Sequence, residues 1–528
     1  MIEQNLLTVR QASEWATTHL QKKVSPSNIS YLIQYGRVPK IVANGTTHVK
    51  QADLARYYQS YIGRREIDWK KQLGDNLNWE LSFDNLREKD TTKHVHRLHP
   101  YKGKFIPQLV AYFLDQHTDE FKKEAYFQPG DIVLDPFCGS GTTLVQANEL
   151  GIHAIGVDVS AFNGMIANVK VGDFDLFDLQ AETTRITQAL RYFDKSSNAR
   201  AFEVRLLDEL SQFNSDNFPS PSYRRKIRLG EIDYKQYGPQ KEAEFLPIYQ
   251  ELRRQYQVEL RQDDDSTFLD KWYLQPVRDE IDFVFDLIKQ IENPQTKQIA
   301  ALILSRTMRS CRATTHADLA TLVEPITTTY YCHKHGKICK PLFSLFNWWQ
   351  RYSQDTITRL LAFAKLKTET EQICLTGDSR VIDLTAVLPA KNPQLAEMVK
   401  ERKINGIFSS PPYVGLINYH EQHAYSYDLF GFERRDELEI GPMFQGKGKA
   451  ARQSYIKGVS QVLSNCKRFM VDDYDVFLVA NDKFNMYPEI AKTAGMKIVN
   501  RYRRPVLNRT ERDRAAYAET IFHMKEAD

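Results

Sequence analysis

One segment constrains this chain more than any other. The apolar run Asp131-Ile132-Val133-Leu134 leads into Asp135-Pro136-Phe137-Cys138-Gly139-Ser140-Gly141 and then into the helical stretch Leu144 to Leu150. A short apolar run suits a strand buried on both faces, and the glycines mark a tight turn into a helix. The same alternation recurs along the chain. β-rich runs occupy Asp131–Phe137, His153–Asp158, Ile373–Asp378, Gly406–Ser410, Asp475–Ala480, Lys497–Arg504 and Glu519–His523, with helical stretches between them. Strand-then-helix alternation predicts an α/β fold built on a doubly wound, mostly parallel sheet.

With 528 residues, two or three domains are expected. Between Asp158 and Ile373 the alternation stops, and residues 171–370 read as a helix-rich insertion into the sheet domain, which comprises 99–170 and 371–528. A charged connector covers 66–98. Residues 1–65 form a separate small unit with nine Lys/Arg against three Asp/Glu. There Thr8 suits a helix cap, and Ser25-Pro26-Ser27 opens a second helix with Ile29, Leu32 and Ile33 on one face. A hairpin through Asn44-Gly45 follows, and Gln51 to Tyr61 closes the unit as a third helix.

Chemistry concentrates at the ends of the expected strands. Gly139 and Gly141 bring a ligand close to the backbone at a helix N-terminus, where N–H groups are free. One strand later, Gly156-Val157-Asp158 sets a carboxylate where it can accept from both hydroxyls of a ribose. Far downstream, Asn405–Ser409 delivers Ser410-Pro411-Pro412-Tyr413 to the same edge. Prolines have no N–H, so the Ser410 hydroxyl and the Pro411 carbonyl are presented without competing donors. Two such acceptors suit the amine on a nucleobase, and Tyr413 suits stacking on a base. Taken alone, the glycine turn also fits a nicotinamide-dependent dehydrogenase, and the proline pair also fits a turn ending a strand.

Together, Asp135–Thr143 and Ser410–Tyr413 resemble the amino-group (N4-cytosine/N6-adenine) DNA methyltransferases of restriction–modification systems. That resemblance implies a seven-stranded Rossmann-like methyltransferase sheet and S-adenosylmethionine as cofactor. It makes Asp135, Phe137, Gly139, Ser140, Gly141 and Thr142 the first cofactor motif, Asp158 the ribose acid, and Asp378 the acid beside the adenine amine. The segment His99–Pro107 matches the motif closing over the methionine end, with Lys104 and Phe105 in contact. Ser410, Pro411, Pro412 and Tyr413 become the catalytic residues. A serine in the first position accompanies N4-cytosine methylation. The order, cofactor motif before Ser410, departs from many Ser-type members and keeps N6-adenine methylation open. C5-cytosine chemistry needs a thiolate, usually in a Pro-Cys pair, and the sequence has none. An RNA methyltransferase and a degenerate DNA-binding regulator are the other readings.

The implied partner is double-stranded DNA, with a cognate restriction endonuclease acting on the same site. The N-terminal unit resembles excisionase-like and MerR-like winged helix-turn-helix domains, which would face DNA with Ser27, Asn28, Ser30 and Tyr31. A protein-interaction module is the alternative. Arg306, Arg309 and Arg312, at helical spacing in the insertion, suit phosphate or guanine contacts, or else a solvated or ion-paired arginine face. Arg501, Arg503, Arg504, Arg509, Arg512 and Arg514 form a further basic cluster.

Cys332, His335 and Cys339, with Cys311 upstream, contain enough soft ligands for zinc. Their spacing matches no paired Cys-x-x-Cys knuckle, so buried cysteines with a phosphate-facing histidine are expected and no metal site is assigned. Six scattered cysteines, no apolar run of membrane-spanning length and no signal-like start suit a cytoplasmic protein without a membrane partner.

Overall fold

In the N-terminal unit, Thr8 begins a helix by exchanging hydrogen bonds with Gln11: its Oγ1 accepts the Gln11 N–H, and the Gln11 side chain accepts the Thr8 N–H. Strand β1 (Leu6–Thr8), helix α1 (Val9–Leu20), helix α2 (Pro26–Gln34), strands β2 (Ile41–Ala43) and β3 (Thr46–Lys50) and helix α3 (Gln51–Gln59) follow in order. The three strands pair antiparallel as β1-β3-β2. Leu6 and Leu7 precede the helix as strand, because β3 offers its edge to them. A separate core of Ala12, Ala16, Ile29, Leu32, Val38, Val49 and Leu54 holds the unit. The computed structural model describes all residues except 1–4, 21–22, 44, 60–71, 75–76, 84–85, 87, 102, 262–265, 317–321, 342–343, 419 and 507–516. Asn44 and Tyr61, Arg509, Arg512 and Arg514, and most of the charged connector's first half lie outside the described residues.

The chain then supplies β4 (Ile132–Asp135), β5 (His153–Asp158), a small hairpin of β6 (Tyr330–Cys332) and β7 (Lys337–Cys339), β8 (Gln372–Thr376), β9 (Ile404–Ser409), β10 (Met470–Ala480), β11 (Met496–Pro505) and β12 (Ala518–Glu526). Every one of the expected sheet runs is a strand. They form one seven-stranded sheet, ordered β11-β12-β10-β9-β4-β5-β8. Pairings from β10 through β8 are parallel, and β12 runs antiparallel to both neighbours.

Alternation within each strand feeds two cores. Ile132 and Leu134 of β4, Ile407 of β9 and Val476 and Leu478 of β10 enter one, backed by the helices Pro393–Arg402 and Lys449–Lys467. Val133, Phe408 and Phe477 enter the other, backed by Pro107–Leu114, Thr142–Glu149 and Ala161–Val171. Apolar side chains on both faces are what a doubly wound sheet requires.

Between β5 and β8, helices predominate among the described residues. Their buried residues, including Leu190, Phe202, Tyr249, Ile281 and Trp349, are continuous with the second core. The insertion is therefore welded to the sheet. Its helix Ser222–Leu229 also meets the N-terminal unit: Arg228 donates to the Tyr35 carbonyl, and Arg225 packs against Gly36. Among the described residues no helix is long and apolar enough to cross a membrane.

Candidate active site

The carboxyl ends of β4, β5, β8 and β9 open into one cleft of about 810 Å³. From the residues singled out in the sequence, Lys104, Phe105, Phe137, Gly139, Ser140, Thr142, Asp158, Asp378, Ser410 and Pro412 line it. Asp135, Gly141, Pro411 and Tyr413 are not among its lining residues. Tyr101, Gly103, Lys104 and Phe105 on one side and Leu438, Glu439 and Ile440 on another complete the lining.

The loop after β4 is held from every direction. Gly139 N–H donates to Asp158 Oδ2 (2.8 Å), the Ser379 hydroxyl donates to the Pro136 carbonyl (2.7 Å), and the buried Lys170 ammonium donates to the Ser140 carbonyl. Asp158 also accepts from Ser160 N–H (2.9 Å) and from the Asn163 amide (3.0 Å). Burial raises its carboxyl above the usual range in spite of these donors.

Both glycines are required by packing, which the expectation of ligand approach alone did not include. A Cβ at Gly141 (φ +74°) would lie 2.8 Å from the Ala167 Cβ, so this glycine seats the loop on the helix Ala161–Val171. At Gly139 (φ +51°) a Cβ would lie 3.0 Å from the Tyr101 hydroxyl. A Gly141→Leu change thus disturbs the fold together with the cleft.

Asp135 binds the two distant motifs to each other. It sits buried at the end of β4 and accepts from the Ser409 hydroxyl (2.5 Å) and from Phe137 N–H (3.2 Å). Burial pushes its pKa up to about 6. A carboxyl whose folded pKa exceeds its unfolded value favours the protonated state. Its contribution to stability is full below the unfolded pKa, near 3.9, and is lost as pH rises through about 6. Asp135→Asn is expected to remove about 3 kcal/mol of that fall, at 1.36 kcal/mol per pKa unit. Thermal unfolding at pH 4 and pH 7 checks this: an unchanged pH slope in the variant counts against it.

Ser410 brings a hydroxyl to the cleft at the end of β9. It donates to the Val479 carbonyl of β10 (3.2 Å), which leaves its lone pairs free of its own proton. Tyr413 is mostly buried, donates to Glu519 (2.9 Å), and does not reach the cleft. Stacking on a base requires that bond to break, whereas Tyr101 and Phe105 already line the space. Asp378 is gripped by Arg380, whose Nε lies 2.9 and 3.0 Å from its two oxygens. The Lys104 ammonium donates to the His96 carbonyl (2.5 Å), and burial lowers its pKa to about 8.

Tyr101, Asn163, Ser379 and Glu439 also line the cleft, and sequence reasoning missed them. Glu439 receives the backbone N–H of His420 (2.9 Å) and faces its ring at 2.5 Å, which fixes the loop after Ser410. Tyr101 and Ser379 had a signal, the first within the segment His99–Pro107 and the second beside Asp378.

A second cavity, of about 1220 Å³, shares Tyr101 with the cleft and is lined by Arg309, Arg312 and His423. Arg306 is not part of it. That guanidinium is buried over Tyr352 (4.1 Å) and paired with Asp355 (2.7 Å); Arg312 is buried too, over Tyr425 (5.8 Å), but lines the cavity with Arg309, so the proposed arginine face splits. In α2, Ser27, Asn28 and Tyr31 are exposed and Ser30 is half-buried, with the Asn28 side chain committed to capping Ser25. On β11, Arg501 and Arg503 face solvent, and Arg504 is buried against Glu519 (3.3 Å).

A doubly wound sheet with a glycine-turn cleft and an acceptor serine at adjacent strand ends defines a class of group-transfer enzymes with a nucleotide-type cofactor. Residues 28–167 match the N6/N4 family model described as DNA methylase. The chain is 44% identical over 527 residues to the type II methyltransferase M.MjaII of Methanocaldococcus jannaschii, covering 98% of this chain and 97% of that one. Shorter matches join it to the type II methyltransferases M.MvaI of Kocuria varians (31% over 124 residues, 23% of this chain and 24% of that one) and M2.DpnII of Streptococcus pneumoniae (36% over 109 residues, 21% and 34%). The chain belongs to the type II DNA methyltransferases of the N4/N6 amino-methylating family.

Proposed function

We propose that the chain transfers a methyl group from S-adenosylmethionine to the exocyclic N4 amine of a cytosine turned out of double-stranded DNA. The carrying observation is Ser410. Its own proton is occupied by the Val479 carbonyl while the residue lines the cleft, so it meets a base amine as an acceptor. An exocyclic amine is a poor nucleophile because its lone pair is delocalised into the ring. Held by Ser410 Oγ on one N–H and the Pro411 carbonyl on the other, the nitrogen turns pyramidal and its lone pair is aimed. The methylated amine then loses its proton to solvent. Turning the base out of the stack is what makes this geometry reachable.

The cleft suits the cofactor. Three carboxylates, Asp158, Asp378 and Glu439, line it with the ammonium of Lys104; even with Asp378 paired to Arg380, the remaining carboxylates favour a cationic ligand. S-adenosylmethionine supplies, when bound, an electrophilic methyl group on a sulfonium. Asp158 would accept from the ribose, Asp378 from the adenine amine, and Lys104 and Phe105 would cover the methionine end. Alignment and electrostatic fit do the remaining work.

Arg309 and Arg312 in the adjoining cavity would hold the DNA backbone or a guanine edge beside the displaced base. The basic N-terminal unit would add phosphate contacts through α2, as a winged helix-turn-helix does. A cognate endonuclease acting at the same site is the expected companion. A test of the α2 role is Ser27→Glu, an exposed position in the first turn. An acid there suits the helix N-terminus, so the melting temperature should hold or rise. Duplex affinity should fall several-fold at low salt and converge with wild type at high salt. Equal affinity at low salt contradicts the DNA-facing assignment.

The second reading is N6-adenine methylation, favoured by the order of the two motifs along the chain. Digesting methylated DNA to nucleosides and identifying the product by mass decides between them. N4-methylcytosine is expected; N6-methyladenine alone refutes the serine argument.

A further inference from the structure

The hairpin of β6 and β7 has three residues on each side, pairs Cys332 with Lys337 and Tyr330 with Cys339, and turns through Gly336 at φ +65°. A two-stranded hairpin is marginal in water, and one this short needs outside support. Four side chains converge on it. His316, Cys332, His335 and Cys339 each bring one ligating atom to within 4.8 Å of all the others. Cys332 Sγ lies 3.9 Å from His316 Nδ1, and Cys339 Sγ lies 3.5 Å from His335 Nδ1. An ion holding sulfur at about 2.3 Å and nitrogen at about 2.0 Å in a tetrahedron sets its ligands roughly 3.3–3.8 Å apart. Two thiols and two imidazoles make a closed set of the kind that supports structure. Cys311, counted with the soft ligands in the sequence, is elsewhere: its thiol faces the Ser344 carbonyl at 3.9 Å.

We propose that His316, Cys332, His335 and Cys339 bind one structural zinc ion. Cys332 and Cys339 are buried and His335 is exposed, so the ion enters from the side of the turn. What the ion braces is a junction. Asn214 grips Ile338 through both its N–H (2.9 Å) and its carbonyl (3.0 Å), and Glu242 accepts the Tyr331 N–H (2.8 Å). Arg224 donates to the Lys334 carbonyl (2.6 Å) from the same helix, Ser222–Leu229, that seats Tyr35 and Gly36 of the N-terminal unit. Zinc therefore fixes the surface on which the basic unit rests, away from the methyl-transfer cleft. Both thiols bind as thiolates, so uptake of the metal releases protons.

The test uses the full-length chain, reconstituted with zinc and freed of excess metal. Mass spectrometric metal analysis should find about one zinc per chain, reduced at least tenfold in Cys332→Ser and unchanged in Cys311→Ser. The stripped protein titrated with Co²⁺ should develop thiolate charge-transfer and tetrahedral d–d bands that saturate at about one equivalent. His335→Asn, at an exposed position that leaves the core intact, should lose those bands. Zinc below about a tenth of an equivalent in the reconstituted wild type overturns the proposal. So does Co²⁺ bound without thiolate bands, or full zinc retention in both Cys332→Ser and His335→Asn.

Discussion

Ser410→Ala is expected to lower turnover roughly ten- to a hundredfold while cofactor affinity stays at the wild-type value. The change removes the acceptor for one amine N–H and leaves that donor unpaired in a closed site, at a cost of roughly 1–3 kcal/mol. Each 1.36 kcal/mol is about tenfold in rate. The Val479 carbonyl loses its donor as well, but its strand keeps its pairing with β9 over Asp475–Leu478 and with β12 over Val476–Ala480, so the fold should hold. Single-turnover kinetics with saturating DNA, beside calorimetry of the cofactor, separates the two effects. A loss of affinity without a loss of rate contradicts the acceptor role.

Asp158→Ala is expected to have the larger effect, and on binding. Two charge-assisted hydrogen bonds to ribose hydroxyls, at roughly 1.5–3 kcal/mol each, correspond to a loss of about two to four decades in affinity. Part of that loss is indirect, because the same carboxylate accepts from Gly139 N–H and Ser160 N–H and so shapes the loop. Asp158→Asn separates the parts: it keeps the size and one acceptor oxygen and should fall between wild type and alanine. Wild-type calorimetric affinity in both variants removes Asp158 from the cofactor site.

The sheet was legible because its strands are short apolar runs bounded by glycines and acids, a local pattern that survives in any context. The cleft residues at strand ends were legible for the same reason, since Asp158, Asp378 and Ser410 close runs that end where ligands bind. What local pattern does not carry is the reason for a residue. Gly141 reads as room for a ligand, yet its Cβ would meet Ala167, on a helix that begins twenty residues later. Arg306, Arg309 and Arg312 read as one face, yet Asp355 takes the first into the core. Tyr413 reads as a stacking ring until Glu519, on the last strand, claims its hydroxyl. His316 completes a ligand set with residues that lie across a loop, and no spacing rule reaches it.

Asp135 and Ser409 touch across 274 positions of sequence, and β4 finds β9 only after the whole insertion has been made. During synthesis the first half-site therefore waits with one edge of β4 bare while more than two hundred residues emerge. Pairings this distant form slowly, because the loop between them must close before any contact rewards it. The insertion, whose core runs into that of the sheet, is the first material available to shelter the waiting strands. A chain interrupted before β9 would carry the complete glycine turn and still lack its central neighbour. The enzyme becomes competent late in its own birth, and chaperone demand and misfolding should concentrate in that interval.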